Sequence, residues 1–345
     1  MSANEDVSIR VEGRVGRITL TRPKALNAVN QVIVDGMYAA LKRWETDPGI
    51  ALVLVDAEGE KAFSAGGDLA SIYNAAKAGD IESANSFWRD EYRLNAYIDR
   101  YPKPYVAVMD GIVMGGGVGI SAHGSHRIVT DNSMVAMPEC GIGLITDVGG
   151  SYLLARAPGH MGEYLGLTGT RMKGEDAIYA GFADIYVHRA RLEDAKAALV
   201  AEGDVSVLSR FGEAPPPSAL ARDQQMVDRL FAAGSVPDIM DALGTDGSEW
   251  ALKALDAIEK GSPLSAIMIL SAVRDAGSLE RGLRNEYRFV SRVLEHGDFV
   301  EGIRAIVIDK DRSPKWRHKD IGSVPAELIA MMRSEAEGGD PDFLN

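Results

Sequence analysis

Two continuous apolar runs constrain the fold of this chain more than any other feature. They are IALVLVDA at residues 50–57, bounded by turn residues, and YVAVMDG at residues 105–111. A strand without polar alternation is buried on both faces, as in a parallel sheet covered by helices. Helical spacing precedes the first of these runs, at residues 29–46, and helical patterns recur between the predicted strands. The alternation predicts an α/β fold with mostly parallel strand pairing.

The two ends of the chain depart from this central pattern. SIRVEG and GRITLT near the N-terminus predict two strands joined by a glycine-containing turn. FGEAPPPSALA holds three consecutive prolines, which are typical of an extended connector, and helical patterns dominate from Gln224 onward. There, Ser262 before Pro263 predicts a helix start. We therefore predict an α/β core over residues 1–204 and a mainly helical region over residues 205–345.

Charge and cysteine content exclude several functional classes. The 345 residues include 37 basic and 50 acidic side chains, a formal net charge of −13 that disfavours general nucleic-acid binding. Cys140 is the single cysteine, so neither an intrachain disulfide nor a cysteine-based zinc site can form. The N-terminus lacks the pattern of a secretory signal, and no run of 18 apolar residues predicts a membrane span. We predict a cytoplasmic protein.

Two glycine-rich junctions follow predicted strands and open helical patterns. They are FSAGGDLA at residues 63–70 and DGIVMGGGVGIS at residues 110–121. Backbone N–H groups at such junctions can stabilise an oxyanion, and one from each would suit the carbonyl of a thioester or activated acyl group. The alternatives are an ordinary strand–helix turn with Asp68 as a helix-start acid, and close helix packing. Ile120 breaks a dinucleotide-binding fingerprint.

Two acids lie in the apolar, glycine-rich stretch MPECGIGLITDVGG at residues 137–150. Glu139 there should have a raised proton affinity, which suits general acid or base chemistry near neutral pH. Asp147 could stand beside it, because neighbouring carboxylates separate their pKa values and divide acid and base roles. The alternative is that Asp147 caps the helix that follows it.

Glu91 is a further candidate because it falls in the middle of a helical apolar stripe. That spacing would place its carboxylate on a buried face, where charged groups seldom lie without a partner or a task. The alternative is a helix rotated so that Trp88 and Tyr92 face inward. The nearby His123 and His126 have no further ligand at metal-binding spacing and are predicted to be structural.

The two glycine junctions and the acidic stretch, in this order and spacing, resemble the crotonase (enoyl-CoA hydratase/isomerase) superfamily. RDEYRLN before the second apolar strand and FVEGIRAIVIDKDRSPKW near the C-terminus resemble its 3-hydroxyisobutyryl-CoA hydrolase branch. The resemblance spans essentially the whole chain. It implies a spiral of ββα turns with a helical C-terminal region, which is often used for trimer contacts, and a homo-oligomer that is a trimer or hexamer.

The resemblance also implies roles for individual residues. The oxyanion hole would consist of the N–H groups of Gly67 and Gly116. The substrate-binding and catalytic acids would be Glu91, Glu139 and Asp147. Contacts to the adenine and pantetheine parts of coenzyme A would come from Lys24, Ala25, Leu26, Ala65, Gly67, Asp68 and Leu69.

Two positions bear on which reaction the resemblance implies. Hydratases carry a catalytic glutamate where this chain has Gly119, so hydration of an enoyl-CoA is not expected to be the main activity. Thr146 stands where many relatives have proline, which leaves the exact acyl group open. The implied reaction is hydrolysis of a short branched β-hydroxyacyl-CoA, as in valine breakdown. Glu139 would act as nucleophile or general base, with no metal or prosthetic group.

Two alternatives to hydrolysis stay open. One is an enoyl-CoA hydratase or isomerase with a rearranged set of acids. The other is a relative that binds acyl-CoA without catalysis.

Overall fold

The computed structural model describes residues 6–343. The strands are β1 Val7–Glu12, β2 Val15–Leu20, β3 Leu52–Ala57, β4 Ala62–Ser64, β5 Tyr105–Met109, β6 Ile112–Met114, β7 His126–Val129, β8 Met134–Ala136, β9 Met172–Lys173 and β10 Ile185–Tyr186. The helices are α1 Gln31–Glu45, α2 Leu69–Ala78, α3 Ile81–Asp99, α4 Gly116–Gly119, α5 Gly150–Ala155, α6 Met161–Thr168, α7 Gly174–Tyr179, α8 Leu192–Glu202, α9 Ala219–Phe231, α10 Val236–Asp246, α11 Glu249–Lys260, α12 Pro263–Asp275, α13 Leu279–His296, α14 Phe299–Ile303 and α15 Ala326–Arg333.

The strands form two sheets that the chain visits in alternation. The larger sheet has the order β1-β2-β3-β5-β7-β10, and the smaller has the order β4-β6-β8-β9. Pairing is antiparallel between β1 and β2 and between β8 and β9, and parallel elsewhere. The steps β3 to β4, β5 to β6 and β7 to β8 each cross from the large sheet to the small one. This repeated crossing confirms the predicted α/β class and the ββα spiral.

The large sheet is built from the apolar runs that the sequence shows. Leu52, Leu54, Val106 and Val108 are buried in one cluster with Leu199 of α8. Side chains that are apolar on both faces of a strand remove that strand from water on both sides, which stabilises a central position in a parallel sheet. The predicted strands at 50–57 and 105–111 are therefore confirmed as β3 and β5, and the N-terminal hairpin as β1 and β2.

The stretch HRIVTDNSMVA (126–136) forms two strands rather than one continuous strand. A turn separates β7 from β8, in which the N–H of Thr130 donates to Oγ of Ser133 at 2.8 Å. The hydroxyl of Ser133 in turn donates to the carbonyl of Met109 at 2.5 Å. These polar side chains stabilise a turn in place of a sheet ladder, as serine and threonine often do.

The chain folds into two compact units, each assembled from separate stretches of sequence. The first contains residues 1–67, 90–136 and 171–221, and it includes both sheets. The second contains residues 68–89, 137–170 and 222–345, and it is built mainly of helices. The sequence instead predicts a single boundary, between a core over residues 1–204 and a helical region over residues 205–345. That division stays a prediction.

Helix α12 lies at the centre of the second unit, where it packs against α5, α6 and α13. Its start is defined as the sequence predicts: Oγ of Ser262 accepts from the N–H of Ser265 at 3.2 Å, and Pro263 occupies the first turn. The same hydroxyl donates to Oδ2 of the buried Asp298 at 2.6 Å. Within residues 6–343, no helix is both long and apolar enough to span a membrane.

The double role of Ser262 leads to a first testable prediction. We expect Ser262→Ala to lower the free energy of unfolding by about 2 to 3 kcal/mol, because it removes a helix cap and a donor to a buried carboxylate. The matched control is Ser248→Ala, which removes only the cap of α11 and should cost about 1 kcal/mol. Urea unfolding measures both variants, and equal losses would contradict the double role of Ser262.

Candidate active site

The predicted coenzyme A segments of the first unit are held together by backbone hydrogen bonds. The N–H of Ala65 donates to the carbonyl of Leu26 at 3.0 Å, and the N–H of Val29 donates to the carbonyl of Gly66 at 2.8 Å. The structure therefore brings Leu26 beside Ala65, and their contact with coenzyme A stays a prediction. Lys24 and Ala25 precede them on a short 3-10 turn and are exposed.

Asn27 gives this loop its shape. Leu26 and Asn27 have φ values of 50° and 54°, in the left-handed region that asparagine tolerates better than most residues. The buried Asn27 amide donates to the carbonyls of Glu58 and Ala62, at 2.9 Å each. A polar side chain with these partners stabilises the unusual backbone, and the sequence offered this signal in RPKALNAVN.

Gly67, Gly116 and Glu91 meet in the first unit, and we call them the glycine junction. A Cβ built at Gly116 would lie 2.6 Å from Oε1 of Glu91 and 3.4 Å from the nitrogen of Gly67. Gly116 begins α4, and its preceding residue Gly115 has φ 46°, a conformation that favours glycine. Within residues 6–343, the N–H groups of Gly67 and Gly116 donate to no backbone carbonyl. Two neighbouring N–H donors of this kind suit a developing oxyanion.

The packing alternative is right for one glycine of this cluster. A Cβ at Gly117 would lie 2.5 Å from the carbonyl oxygen of Ser64, so only glycine allows α4 to approach the end of β4. Helix α4 spans only four residues, shorter than the helical run that the sequence indicates.

Asp68 is the N-cap of α2, and its carboxylate accepts from the N–H of Ser71 at 3.3 Å. Leu69 is the first residue of that helix.

Glu91 lies on a buried face of α3, as the sequence predicts. Its exposed fraction is 2%. Trp88 and Tyr92 are buried as well, at 2% and 0%, so the inward face of the helix is wider than either predicted orientation alone. The Glu91 carboxylate is directed toward Gly116, which has no side chain and so leaves room for it.

Glu139 begins a 3-10 turn in the second unit and is 3% exposed. Its Oε2 atom makes no hydrogen bond to any residue in the described range. Burial raises the pKa of this carboxyl well above its ordinary value, and the negative charges of Asp147 and Glu286 raise it further. A carboxylate with raised proton affinity is a stronger base and nucleophile than an ordinary one.

Asp147 lies in a tight turn that follows the Glu139 loop. It is 5% exposed, and its carbonyl accepts from the N–H of Gly150 at 2.7 Å. The N-cap of α5 is Gly149, which makes no side-chain cap. The capping alternative for Asp147 is therefore wrong, because the chain makes one further turn between this acid and the helix.

Glu286 on α13 is a third buried acid, which the sequence interpretation missed. It is fully buried and accepts from the N–H groups of Gly149 and Ser151, at 2.7 and 3.0 Å, and from the hydroxyl of Ser151. Burial raises its pKa to about 8, and the charge of Asp147 adds to this effect. The signal in the sequence was the same as for Glu91, an acid on the apolar face of a helix with Leu283 and Val290. We call Glu139, Asp147 and Glu286 the acid group.

Four other residues that the sequence singled out are Cys140, Thr146, His123 and His126. Cys140 is buried, and burial raises the pKa of its thiol to about 12, so it is not a reactive thiolate at neutral pH. Thr146 is fully buried, and its hydroxyl makes no hydrogen bond to a described residue. Between residues 6 and 343, no group of three or more potential ligands could hold a metal ion, and His123 and His126 are part of no such group.

Comparison with known proteins identifies the family. A family model described as Enoyl-CoA hydratase/isomerase matches residues 15–332. The chain belongs to the enoyl-CoA hydratase/isomerase family. A curated relative from Danio rerio, named 3-hydroxyisobutyryl-CoA hydrolase, mitochondrial, is 41% identical over 95% of this chain and 89% of its own. The resemblance to the crotonase superfamily and its hydrolase branch is thereby confirmed.

Two solved structures are also close in sequence and fold. An enoyl-CoA hydratase from Rhodobacter sphaeroides is 47% identical, with a TM-score of 0.92 over 95% of this chain and 97% of that one. A carnitinyl-CoA dehydratase from Mycobacterium thermoresistibile is 44% identical, with a TM-score of 0.94 over 97% and 98% of the two chains. Both agree with the ββα spiral of the first unit.

The predicted cytoplasmic location is wrong by the same comparison. The curated hydrolase relatives, including the one from Danio rerio, are named as mitochondrial proteins. The prediction rested on the missing features of a targeting segment, and such an absence does not establish a compartment.

The glycine junction leads to a prediction about stability. We expect Gly116→Ala to lower the free energy of unfolding by about 1 to 3 kcal/mol, because the added methyl must displace the buried Glu91 carboxylate. The control is Gly67→Ala, whose added Cβ would meet nothing within 4 Å and should cost less than about 0.5 kcal/mol. Urea unfolding compares the two, and an equal cost would mean that Gly116 is not closely packed.

The acid group leads to a prediction about pH. A buried acid with a raised pKa binds more protons in the folded state than in the unfolded state, so it reduces stability progressively as pH rises above 4.5. We expect Glu139→Gln to remove this loss and to gain at least about 1 kcal/mol over the wild type between about pH 5 and pH 8. Urea unfolding at several pH values measures the gain. Glu295→Gln, at an exposed position, should show none, and a pH-independent difference for Glu139→Gln would contradict the raised pKa.

Proposed function

We propose that the protein hydrolyses the thioester of a short branched β-hydroxyacyl-CoA, with 3-hydroxyisobutyryl-CoA as the main substrate. The products are 3-hydroxyisobutyrate and coenzyme A, and the reaction belongs to valine breakdown. The observation that carries the proposal is that curated relatives from fish, bird and human, 40% or 41% identical over 94% or 95% of this chain, have this hydrolase as their name. Thioester hydrolysis also suits the chemistry of the acids and glycines described above.

The glycine junction supplies the oxyanion hole in this proposal. The N–H groups of Gly67 and Gly116 donate to the thioester oxygen and stabilise the negative charge that develops on it during attack. Removing one such donor typically reduces kcat by about two to three orders of magnitude. Glu91 binds the β-hydroxyl group of the acyl chain.

Glu139 attacks the thioester carbon or activates the water that does so. As a nucleophile its carboxylate forms an acyl anhydride, the C–S bond breaks, and the coenzyme A thiolate leaves and takes a proton. Water then cleaves the anhydride and regenerates Glu139. As a general base it takes a proton from water, which attacks the thioester directly. Asp147 orients the acid, the water or the hydroxyl group.

The remaining partners are proposed from the family. Coenzyme A is part of the substrate, and it is contacted by Lys24, Ala25, Leu26, Ala65, Gly67, Asp68 and Leu69. The reaction as proposed uses no metal or prosthetic group. We also propose a homo-oligomer, a trimer or hexamer, as in the superfamily.

A second candidate function is the hydration of an enoyl-CoA. It is favoured by the 47% identical solved structure that is named an enoyl-CoA hydratase. The position of the hydratase glutamate opposes it, because this chain has Gly119 there, the last residue of α4. Hydration by the usual scheme requires two glutamates, and glycine cannot transfer a proton.

A thiol-release assay across a panel of acyl-CoA thioesters tests the proposal. We expect fastest release from 3-hydroxyisobutyryl-CoA, and a loss of at least about three orders of magnitude in kcat for Glu139→Gln, with coenzyme A binding retained. Crotonyl-CoA, followed by loss of its conjugated absorbance, reports hydration in parallel.

Two outcomes would contradict the hydrolase. One is hydration of crotonyl-CoA without release of thiol, and the other is near-normal hydrolysis by Glu139→Gln. Binding of coenzyme A without either reaction would instead support a non-catalytic relative.

A further inference from the structure

We propose that Glu286 is a positioning residue for the reaction. It holds the turn from Asp147 to Gly149 in a conformation that the backbone would not otherwise adopt, and it thereby sets the orientation of Asp147. The proposal rests on the proposed function, in which Asp147 acts on the substrate or on Glu139. It assigns a role to an acid that neither the sequence motifs nor the family resemblance points to.

The turn itself is strained. Val148 has φ 56°, and Gly149 has φ 78°, so two successive residues are in the left-handed region. Glycine adopts this conformation freely, but a β-branched residue such as valine does so at a cost. The Val148 side chain is 1% exposed, so the turn is also fixed by packing. Strain of this kind persists only where surrounding contacts overdetermine the conformation.

Glu286 provides the contacts that oppose this strain. Its Oε2 accepts from the N–H of Gly149, and its Oε1 accepts from both the N–H and the hydroxyl of Ser151. All three partners are donors, so a carboxylate satisfies them better than an amide, which would direct an NH₂ group at one of them. The carboxylate thus binds Gly149 and Ser151, the residues on either side of Gly150, where the chain leaves the strained turn and α5 begins.

The helix that carries Glu286 is fixed closely against this turn. Helix α13 runs for 18 residues from Leu279, and the side chain of the preceding Ser278 caps it. One turn before Glu286, a Cβ built at Gly282 would lie 3.0 Å from Oγ of Ser151. The helix therefore cannot move closer, and its acceptor is held at a fixed place relative to the N–H groups it binds.

Charge adds a second consequence. The charge of Asp147 acts on Glu286, and the charges of Asp147 and Glu286 both raise the pKa of Glu139. Neutralising residue 286 should therefore lower the pKa of Glu139. This shift reports the charge at residue 286, whereas the fall in kcat and its recovery by Val148→Gly report the positioning of Asp147.

The test compares Glu286→Gln with Glu295→Gln, which makes the same change at an exposed position on the same helix. For Glu286→Gln we expect kcat for thiol release from 3-hydroxyisobutyryl-CoA to fall at least about 30-fold, with KM within about threefold. The acid limb of its pH profile should move to lower pH. Glu295→Gln should match the wild type in all three measurements.

Relief of the backbone strain supplies a rescue experiment. Glycine at position 148 adopts the left-handed conformation without support, so Val148→Gly should recover at least about fivefold of the lost kcat in the Glu286→Gln background. Ser151→Ala removes one of the three hydrogen bonds and should give an intermediate loss. It also provides a milder variant if Glu286→Gln does not fold.

The role is overturned if Glu286→Gln, or Ser151→Ala where the former does not fold, keeps wild-type kcat and an unshifted pH profile. It is also overturned if Val148→Gly recovers nothing. Amide hydrogen exchange at Gly149 and Ser151 gives a readout without substrate, and unchanged exchange in Glu286→Gln would equally contradict it. If the wild type hydrates crotonyl-CoA but releases no thiol, the proposed function fails, and the same variants assayed for hydration still decide the role of Glu286.

Discussion

The burial of carboxylates without cations is the constraint on which the rest of this site depends. Glu139 and Glu286 are almost completely buried in the second unit, and no arginine or lysine in the described range forms an ion pair with either one. A buried charge that lacks a partner destabilises the fold by several kcal/mol unless it is protonated or hydrogen-bonded. Burial raises the pKa of both acids, of Glu139 in its loop and of Glu286 on helix α13.

The two buried acids differ in the hydrogen bonds that their carboxyl groups accept. Glu286 accepts three hydrogen bonds, whereas Oε2 of Glu139 receives none from any described residue. In the proposed function, the hydrogen-bonded acid holds a turn and the acid with the unsatisfied oxygen reacts, a division of roles that burial and hydrogen bonding commonly produce. Gly116 also leaves space for a buried acid. Because it has no side chain, the Glu91 carboxylate fits beside the N–H groups of Gly67 and Gly116.

Local signals in the sequence were sufficient for much of this picture. Apolar runs predicted β3 and β5, helical spacing predicted the burial of Glu91, and Ser262 before Pro263 predicted a helix start, since each depends on residues close together in the chain. The burial of Glu286 has a local signal in the spacing of α13, but its hydrogen bonds could not be predicted, because its partners Gly149 and Ser151 lie 137 and 135 residues away. Contacts over such distances depend on tertiary packing, which no local pattern encodes.

The pKa of Glu139 is the measurement that tests this account most directly. Carbon-13 NMR of protein labelled at the glutamate side-chain carboxyl can follow its titration, and Glu139→Gln identifies its resonance by loss of that signal. We expect the Glu139 carboxyl to titrate well above 4.5, with a titration midpoint that falls when Glu286 is replaced by glutamine. A Glu139 resonance that titrates near 4.5 in the folded protein would contradict the central claim.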